Sequence, residues 1–393
     1  MNLNSTPSAN RVHIAFFGLR NAGKSSLVNK ITNQEMSVVS PYAGTTTDPV
    51  KKSMELLPLG PVVIIDTAGF DDVGELGEKR IEKTKNILSK TDVAVLVSDA
   101  TQTLSRDEKK MISDFEKRKI PYIIVKNKSD LCKDKGNSGE ELFVSAKTGE
   151  GIEELKEKIA ALARESEKEV LLVGDLVKKG DIVVLVCPID SSAPKGRIIL
   201  PQQQVIRDII DHGAVAMVCQ PDEYAPLLEK LGEKPSLVVC DSQVFARVSK
   251  ETPCEIRLTS FSILMARMKG FLDIATKSAK KLSEIKSEDK ILVCEGCTHH
   301  RQCEDIGTVK LPAKIRQFTN SDPQFEFVSG TAFPSDLTPY SLIIHCGGCM
   351  ITEREVMSRM NLANDAGIPF TNYGTALAYL NGILERSIEM FDL

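Results

Sequence analysis

The sequence predicts an α/β protein: a P-loop nucleotide domain followed by two smaller α/β domains with mainly parallel sheets. Short apolar runs such as 12–17, 182–186 and 290–293 alternate with helical patterns along the chain, the rhythm of parallel strands joined by crossover helices. The first run leads into Gly18-Leu-Arg-Asn21-Ala-Gly23-Lys24-Ser25, a complete G-x-x-x-x-G-K-[ST] phosphate loop between a strand and a helix. At 393 residues the chain exceeds a single ordinary domain, for which roughly 100–200 residues is usual. The expected division is a tail over 1–10, then domains over 11–165, 166–262 and 263–393.

Composition narrows the class. A hydrophobic share of 42% and a charged share of 26% are those of soluble globular protein, and no apolar run approaches the roughly 18–20 residues that span a bilayer. The polar start, Met1 to Asn10, lacks the basic and apolar regions of a signal peptide, so a cytoplasmic protein with no membrane partner is expected. A formal charge of -4 gives no basic footprint, and no nucleic-acid partner is expected. In a reducing compartment the 10 cysteines read as metal ligands or core residues rather than disulfides. Cys132, Cys187, Cys219, Cys240 and Cys254 are scattered and read as small core residues, whereas Cys294, Cys297, Cys303, Cys346 and Cys349 crowd near the C-terminus.

The phosphate loop has its partners in order. Gly18 and Gly23 let the backbone wrap phosphates, while Lys24, the helix start at Ser26 and a Mg2+ on Ser25 would neutralise their charge. The run 62–65 ends in Asp66-Thr67-Ala68-Gly69, where the Asp would hold Mg2+ and the Gly69 N–H would meet the γ-phosphate. The run 122–125 leads to Asn127-Lys128-Ser129-Asp130, whose carboxylate can accept both N1–H and the N2 amine of guanine; adenine offers no such pair, so GTP and GDP are selected. Ser145-Ala146-Lys147 follows another strand and suits the guanine O6. A last helix over 152–165 carries Ile152, Leu155, Ile159 and Leu162 on one face.

These motifs resemble the translation-factor-like GTPases of the Era and MnmE group, and Gly44-Thr45-Thr46-Thr47-Asp48 is similar to their first switch. The resemblance implies that Thr46 completes the Mg2+ shell, that 74–90 forms the second switch, and that Asn21 helps bind a potassium ion acting like an arginine finger; an ordinary turn cap is the other reading of Asn21. Thr47 departs from the family, which often has Arg there. Phe70 stands where Ras-like proteins place a water-orienting Gln, so slow hydrolysis is expected, with Lys24, Asn21 and Gly69 as the catalytic groups.

The charged run 164–169 reads as a linker or a solvated helix end. Beyond it, strands at 182–186, 214–218 and 237–239 alternate with helices at 204–211 and 224–231. This unit holds no phosphate loop or acid–base pair, and Asp190, Ser192 and His212 read as turn or surface residues. A spacer or dimerisation module with open sheet edges is expected.

One long helix is expected over 264–285, carrying the chain into the last domain. There strands at 290–293, 325–328, 342–345 and 368–370 alternate with helices at 305–318, 352–363 and 375–391. Two strands end in Cys294-Glu-Gly-Cys297-Thr298-His299-His300 and His345-Cys346-Gly-Gly-Cys349, where parallel α/β sheets collect their sites. Spacing admits a four-thiolate zinc site from Cys294, Cys297, Cys346 and Cys349, or an iron–sulfur cluster on three Cys with a weaker fourth ligand. A zinc deaminase would need His-x-Glu and Pro-Cys-x-x-Cys, which are absent.

Cys297-Thr-His299, followed at a distance by His345-Cys346-Gly-Gly-Cys349, resembles the signature of HydF, the GTPase family that matures iron-only hydrogenases, and the likeness covers the whole chain. It implies a 4Fe-4S cluster on Cys297, Cys346 and Cys349, with Cys294 and Cys303 not ligands. The fourth iron is then open to His299, His345, a carboxylate such as Glu304 or Asp305, or an exogenous ligand. It further implies a homodimer that scaffolds or carries a transient di-iron cluster precursor, with radical-SAM maturases as donors and apo iron-only hydrogenase as recipient. The rival reading is a GTP-dependent ribosome or tRNA factor with a structural zinc domain.

Overall fold

The computed structural model describes residues 8–33, 50–69, 84, 86–132, 141–165, 172–189, 195–196, 198–296, 306–330 and 332–393. The expectations placed on the first switch with Thr46, on Phe70, on most of 74–90, on the 166–169 linker, on Asp190 and Ser192, and on Cys297, His299, Cys303, Glu304 and Asp305 lie outside these residues. The chain divides into two compact units, Met1–Lys168 and Glu169–Leu393.

The first unit is built on β1 (Val12–Phe17), α1 (Lys24–Thr32), β2 (Val50–Leu56), β3 (Gly60–Asp66), β4 (Val93–Asp99), α2 (Arg106–Lys117), β5 (Tyr122–Asn127), β6 (Glu141–Phe143) and α3 (Ile152–Glu165). The sheet runs β2-β3-β1-β4-β5-β6, with β2 antiparallel to β3 and the other pairs parallel. Strands β1, β3 and β4 are buried along nearly their whole length, because helices cover both faces of the parallel part. Their two faces feed separate cores, one around Ile14, Phe16 and Ile64, the other around Ala15, Phe17 and Phe115. The chain leaves β1 to one side for β3 and to the other for β4, so the loop after β1 sits where strand order reverses. Strands β2 and β4 and helix α2 add to the expected elements. The apolar signal of β2 is weak because it is an edge strand exposing Lys51, Lys52 and Glu55, charges that discourage edge pairing.

The second unit begins with β7 (Ile182–Val186), α4 (Leu200–Asp211), β8 (Val215–Cys219), α5 (Pro221–Lys230), β9 (Leu237–Cys240), α6 (Phe245–Glu251) and β10 (Arg257–Ser260), a parallel sheet in the order β10-β9-β7-β8. Helices α7 (Phe261–Met268) and α8 (Leu272–Ala279) lead to β11 (Lys290–Glu295), α9 (Leu311–Thr319), β12 (Gln324–Ser329), β13 (Leu342–His345), α10 (Glu353–Asp365), β14 (Phe370–Asn372), α11 (Tyr373–Leu380) and α12 (Leu384–Ile388). The second sheet, β12-β11-β13-β14, is also parallel. The two sheets share one core that runs from Val184, Val238 and Phe245 to Leu292, Ile343 and Phe370. Hydrogen bonds from Phe370 N–H to Ser278 Oγ (3.1 Å) and from Thr371 Oγ1 to Ala275 O (2.8 Å) tie β14 to α8.

Several expected elements are corrected. The single helix over 264–285 is two helices and a 3-10 turn, because Gly270 adopts φ 76° and ends α7. The helix over 375–391 is likewise broken at Gly382, φ 69°. The helix over 305–318 opens with a π-helical turn, Ile306–Lys310, where Gly307 packs so closely that a Cβ would lie 2.1 Å from the Tyr373 hydroxyl. Among the scattered cysteines Cys240 is buried and Cys187, Cys219 and Cys132 are half-buried, but Cys254 is exposed on a turn and is no core residue.

Candidate nucleotide site and candidate metal centre

The nucleotide site forms where β1, β3 and β5 end. Gly18 and Gly23 are there because nothing larger fits: a Cβ would lie 2.2 Å from Val97 O at the first and 2.3 Å from Asn127 Nδ2 at the second. Asn21 also takes a left-handed turn conformation, φ 61°, and its side chain is exposed. Lys24 is buried, its ammonium donating to Gly18 O (3.0 Å) and Leu19 O (2.8 Å), so its charge already lies over the loop that would hold phosphates.

Ser25 Oγ donates to Asp66 Oδ2 at 2.6 Å, and Asp66 is wholly buried at the end of β3. The other carboxylate oxygen, Oδ1, is buried with no hydrogen-bond partner among the described residues. An unpaired buried carboxylate oxygen is costly, and a divalent cation shared with the Ser25 hydroxyl would remove the cost; the pair therefore fits Mg2+. Thr67 anchors the turn through Oγ1 to Phe16 O at 2.6 Å, leaving Gly69 just beyond it.

The base-reading loops are tied to the phosphate loop by Asn127. Its Nδ2 donates to Ala22 O (3.0 Å), and its Oδ1 accepts from Ala146 N–H (3.1 Å). Asp130 is exposed and oriented by Ser145 Oγ, which donates to its Oδ1 at 2.7 Å, while Ser145 is itself held by Thr148 N–H. Lys128 takes φ 67° and pairs with Asp99 at 2.6 Å. Burial pushes the Asp99 carboxyl up, but hydrogen bonds from Lys128 and Thr101 outweigh it and hold the group below its usual range. Lys147 is exposed beside this loop, and Ser26 lies on the first turn of α1.

The candidate metal centre lies at the carboxyl ends of β11 and β13, which pair with Cys294 opposite His345. Cys346 N–H donates to Cys294 O (2.8 Å), and the Cys346 sulfur accepts from Gly296 N–H (3.0 Å) and from Gly348 N–H (3.4 Å). Gly348 reaches that position with φ 66°, and a Cβ there would lie 3.0 Å from Val356 Cγ2. Burial raises the Cys346 thiol, while the two N–H groups oppose the rise. Backbone donors aimed at a sulfur favour its thiolate, the form that binds metal, so the segment fits a thiolate-held cluster. Burial pushes Cys349 up to about 11. Cys294 is fully buried in the shared core with its thiol raised by burial, as an inert core residue would be.

Among the described residues no group of three or more His, Cys, Asp or Glu side chains stands close enough to hold a metal ion, and Cys297, His299 and Glu304 lie outside them. His345 is wholly buried with both ring nitrogens engaged: Nδ1 with Cys346 O (2.8 Å) and Nε2 with Arg359 Nη1 (3.1 Å). Burial, reinforced by the Arg359 charge, pushes it down to about 3. A ligand role would require this network to open. Sequence reasoning missed four buried groups here: Arg359, its partner Glu355 (2.6 Å), Lys269, whose ammonium donates to Ile351 O (2.8 Å), and Glu295, which accepts from the Tyr373 hydroxyl (3.5 Å). Only the first pair left a trace, as oppositely charged residues at helical i,i+4 spacing directly after the Cys-rich turn.

The phosphate loop, the Ser25–Asp66 pair and the guanine-reading loops define the first unit as a P-loop GTPase domain, and residues 13–128 match the model of the 50S ribosome-binding GTPase family. Residues 172–270 match the hydrogen maturase F dimerization domain, and 273–390 match the hydrogen maturase F tetramerization domain. The chain belongs to the hydrogen maturase F family, HydF, of hydrogenase-maturation GTPases.

Similar curated proteins are GTPases that match part of the chain. The tRNA modification GTPase MnmE of Dichelobacter nodosus is 35% identical over 164 residues, 40% of this chain and 36% of that protein. GTPase Der of Mycoplasmopsis pulmonis is 37% identical over 142 residues, 35% of this chain and 32% of that protein. The chain thus spans about a third of the length of these relatives. Among solved structures, Aquifex aeolicus Era bound to GDP.AlF4- aligns with 56% of this chain and 98% of its own, at 19% identity and a TM-score of 0.36. That score is too low to support an argument. No helix among the described residues is long and apolar enough to cross a membrane.

Proposed function

We propose that this chain hydrolyses GTP, binds a 4Fe-4S cluster through Cys297, Cys346 and Cys349, and scaffolds or carries a di-iron precursor for delivery to apo iron-only hydrogenase. The observation that carries the cluster reading is the Cys346 sulfur, which accepts two backbone N–H bonds at the joined ends of β11 and β13 in a chain of this family. Three thiolates leave one iron with a weaker or exchangeable ligand, which suits a protein that receives a metal fragment and hands it on. The radical-SAM maturases would supply that fragment. Because the phosphate loop and the Cys-rich turns belong to different units, the GTP state acts by switching partner association rather than by driving cluster chemistry.

The chain works as a cytoplasmic homodimer that pairs along β8. This edge strand leaves Val215 and Val218 about half exposed, and an unpaired apolar edge is a template for a second strand.

Anaerobic reconstitution with iron and sulfide, followed by EPR of the wild type and of Cys346→Ser, tests the cluster. The expected result is a 4Fe-4S signal in the wild type that is lost or altered in the variant. A zinc-filled, EPR-silent chain that never takes up a cluster would instead support a ribosome or tRNA factor with a structural zinc domain. Hydrolysis should also rise when sodium is replaced by potassium, and an unchanged rate removes the role given to Asn21.

A further inference from the structure

His345 sits one residue before Cys346, and its surroundings decide what it can do. Arginine carries only donors and keeps its charge, so the His345 Nε2 atom, 3.1 Å from Arg359 Nη1, must be the acceptor. The ring proton is then on Nδ1, which lies 2.8 Å from the Cys346 carbonyl, a group that can only accept. The two ends of the ring demand the same tautomer. Arg359 is itself fixed, with Nη2 donating to Glu355 Oε1 and to Gly330 O, both at 2.6 Å, and with its guanidinium 5.4 Å from the Phe333 ring centroid. Both residues are buried, so turning His345 towards a metal would strand a guanidinium donor away from water.

We propose that His345 is not an iron ligand but the clamp of the Cys346–Cys349 turn, locked as the Nδ1–H tautomer by Arg359, with Arg359 and Glu355 as positioning residues for the cluster. The proposal rests on the reading that Cys346 and Cys349 hold a cluster, and it narrows that reading. The remaining iron is left to a group within 297–305 or to an exogenous ligand, while the histidine holds the carbonyl of a ligating cysteine and so the direction of its side chain. Outer partners of this kind change metal affinity by roughly 10–100-fold when removed.

Three measurements on the full chain test it. In the cluster-free protein with ring-15N histidine, NMR should report His345, assigned by its loss in His345→Asn, as a neutral ring with the proton on Nδ1; a proton on Nε2 overturns the clamp. In the reconstituted and reduced protein, pulsed EPR should show no directly bound imidazole nitrogen that disappears in His345→Asn. A strong nitrogen coupling abolished by that substitution overturns the proposal. Arg359→Met should release the tautomer and shorten cluster retention under chelator about tenfold or more. Should Arg359→Met fail to fold, Glu355→Ala removes the carboxylate that fixes the guanidinium and should loosen the tautomer and shorten retention in the same direction; a folded Glu355→Ala chain with both unchanged overturns the positioning role of Glu355. A chain that never loads a cluster refutes the cluster reading, while the NMR result still decides the clamp.

Discussion

Replacing Asn127 with Ala separates two roles that the guanine-reading motif combines. The side chain is 2% exposed and bridges Ala22 O at 3.0 Å to Ala146 N–H at 3.1 Å, so it joins the phosphate loop to the loop that meets the base before any nucleotide arrives. Its removal strands one buried carbonyl and one half-buried N–H, each costing about 1–2 kcal/mol. A total of about 3 kcal/mol should lower the melting temperature of the nucleotide-free GTPase unit by roughly 6–12 °C for a unit of this size. Calorimetry without nucleotide gives the first readout, and titration with a fluorescent GDP analogue gives the second, where a weakening of at least tenfold, about 1.4 kcal/mol, is expected. Asp130→Ala is the control, because its carboxylate is exposed and accepts from Ser145 Oγ at the rim of the site; it should lose discrimination between guanine and adenine with little change in melting. Asn127→Ala with lost GDP affinity and unchanged melting would refute the bridging role and leave Asn127 as a nucleotide contact alone.

Asp66→Asn should abolish the strengthening of GTP binding by Mg2+ while leaving Mg2+-free binding largely intact, and equal Mg2+ dependence in both proteins would remove the ion from the Ser25–Asp66 pair. Val218→Lys places a charge on the exposed edge of β8 and should shift light-scattering mass from dimer to monomer; an intact dimer would move the interface elsewhere. Burial pushes Cys187 up to about 12 and raises the Cys240 thiol well above its usual range, so at pH 8 both remain protonated and unreactive. Mass spectrometry after brief alkylation at pH 8 should find exposed Cys254 modified and these two intact, with Cys187 labelling rising only as the pH climbs towards 12.

What could be read from the sequence was what is local in the chain. The phosphate loop, Asp66-Thr-Ala-Gly69 and Asn127-Lys-Ser-Asp130 are each contiguous, so the residue types of each motif stand within a few positions of one another. The strands 12–17 and 182–186 announce themselves because central parallel strands are apolar on both faces. The bridge from Asn127 to Ala22 spans 105 positions, and no spacing rule connects them. The helix over 264–285 failed for another reason: apolar residues continue in helical register across Gly270, and only that residue's left-handed conformation divides them. At the metal centre the cysteines and glycines were visible, but the hold of Arg359 on His345 depends on α10 packing beneath the end of β13.

The position of Arg386 bears on how the chain is made. Its guanidinium donates to the carbonyls of Ser249, Thr252, Pro253 and Ile256, more than a hundred residues upstream, and closes the turn between α6 and β10. The GTPase unit holds all its sheet contacts within its own segment, so it can fold while the remainder is still on the ribosome. The first sheet of the second unit has no such independence. The carbonyls of its α6–β10 turn can exchange water for the Arg386 guanidinium only once residue 386 has been made. A product truncated before residue 386 would lack this tie altogether.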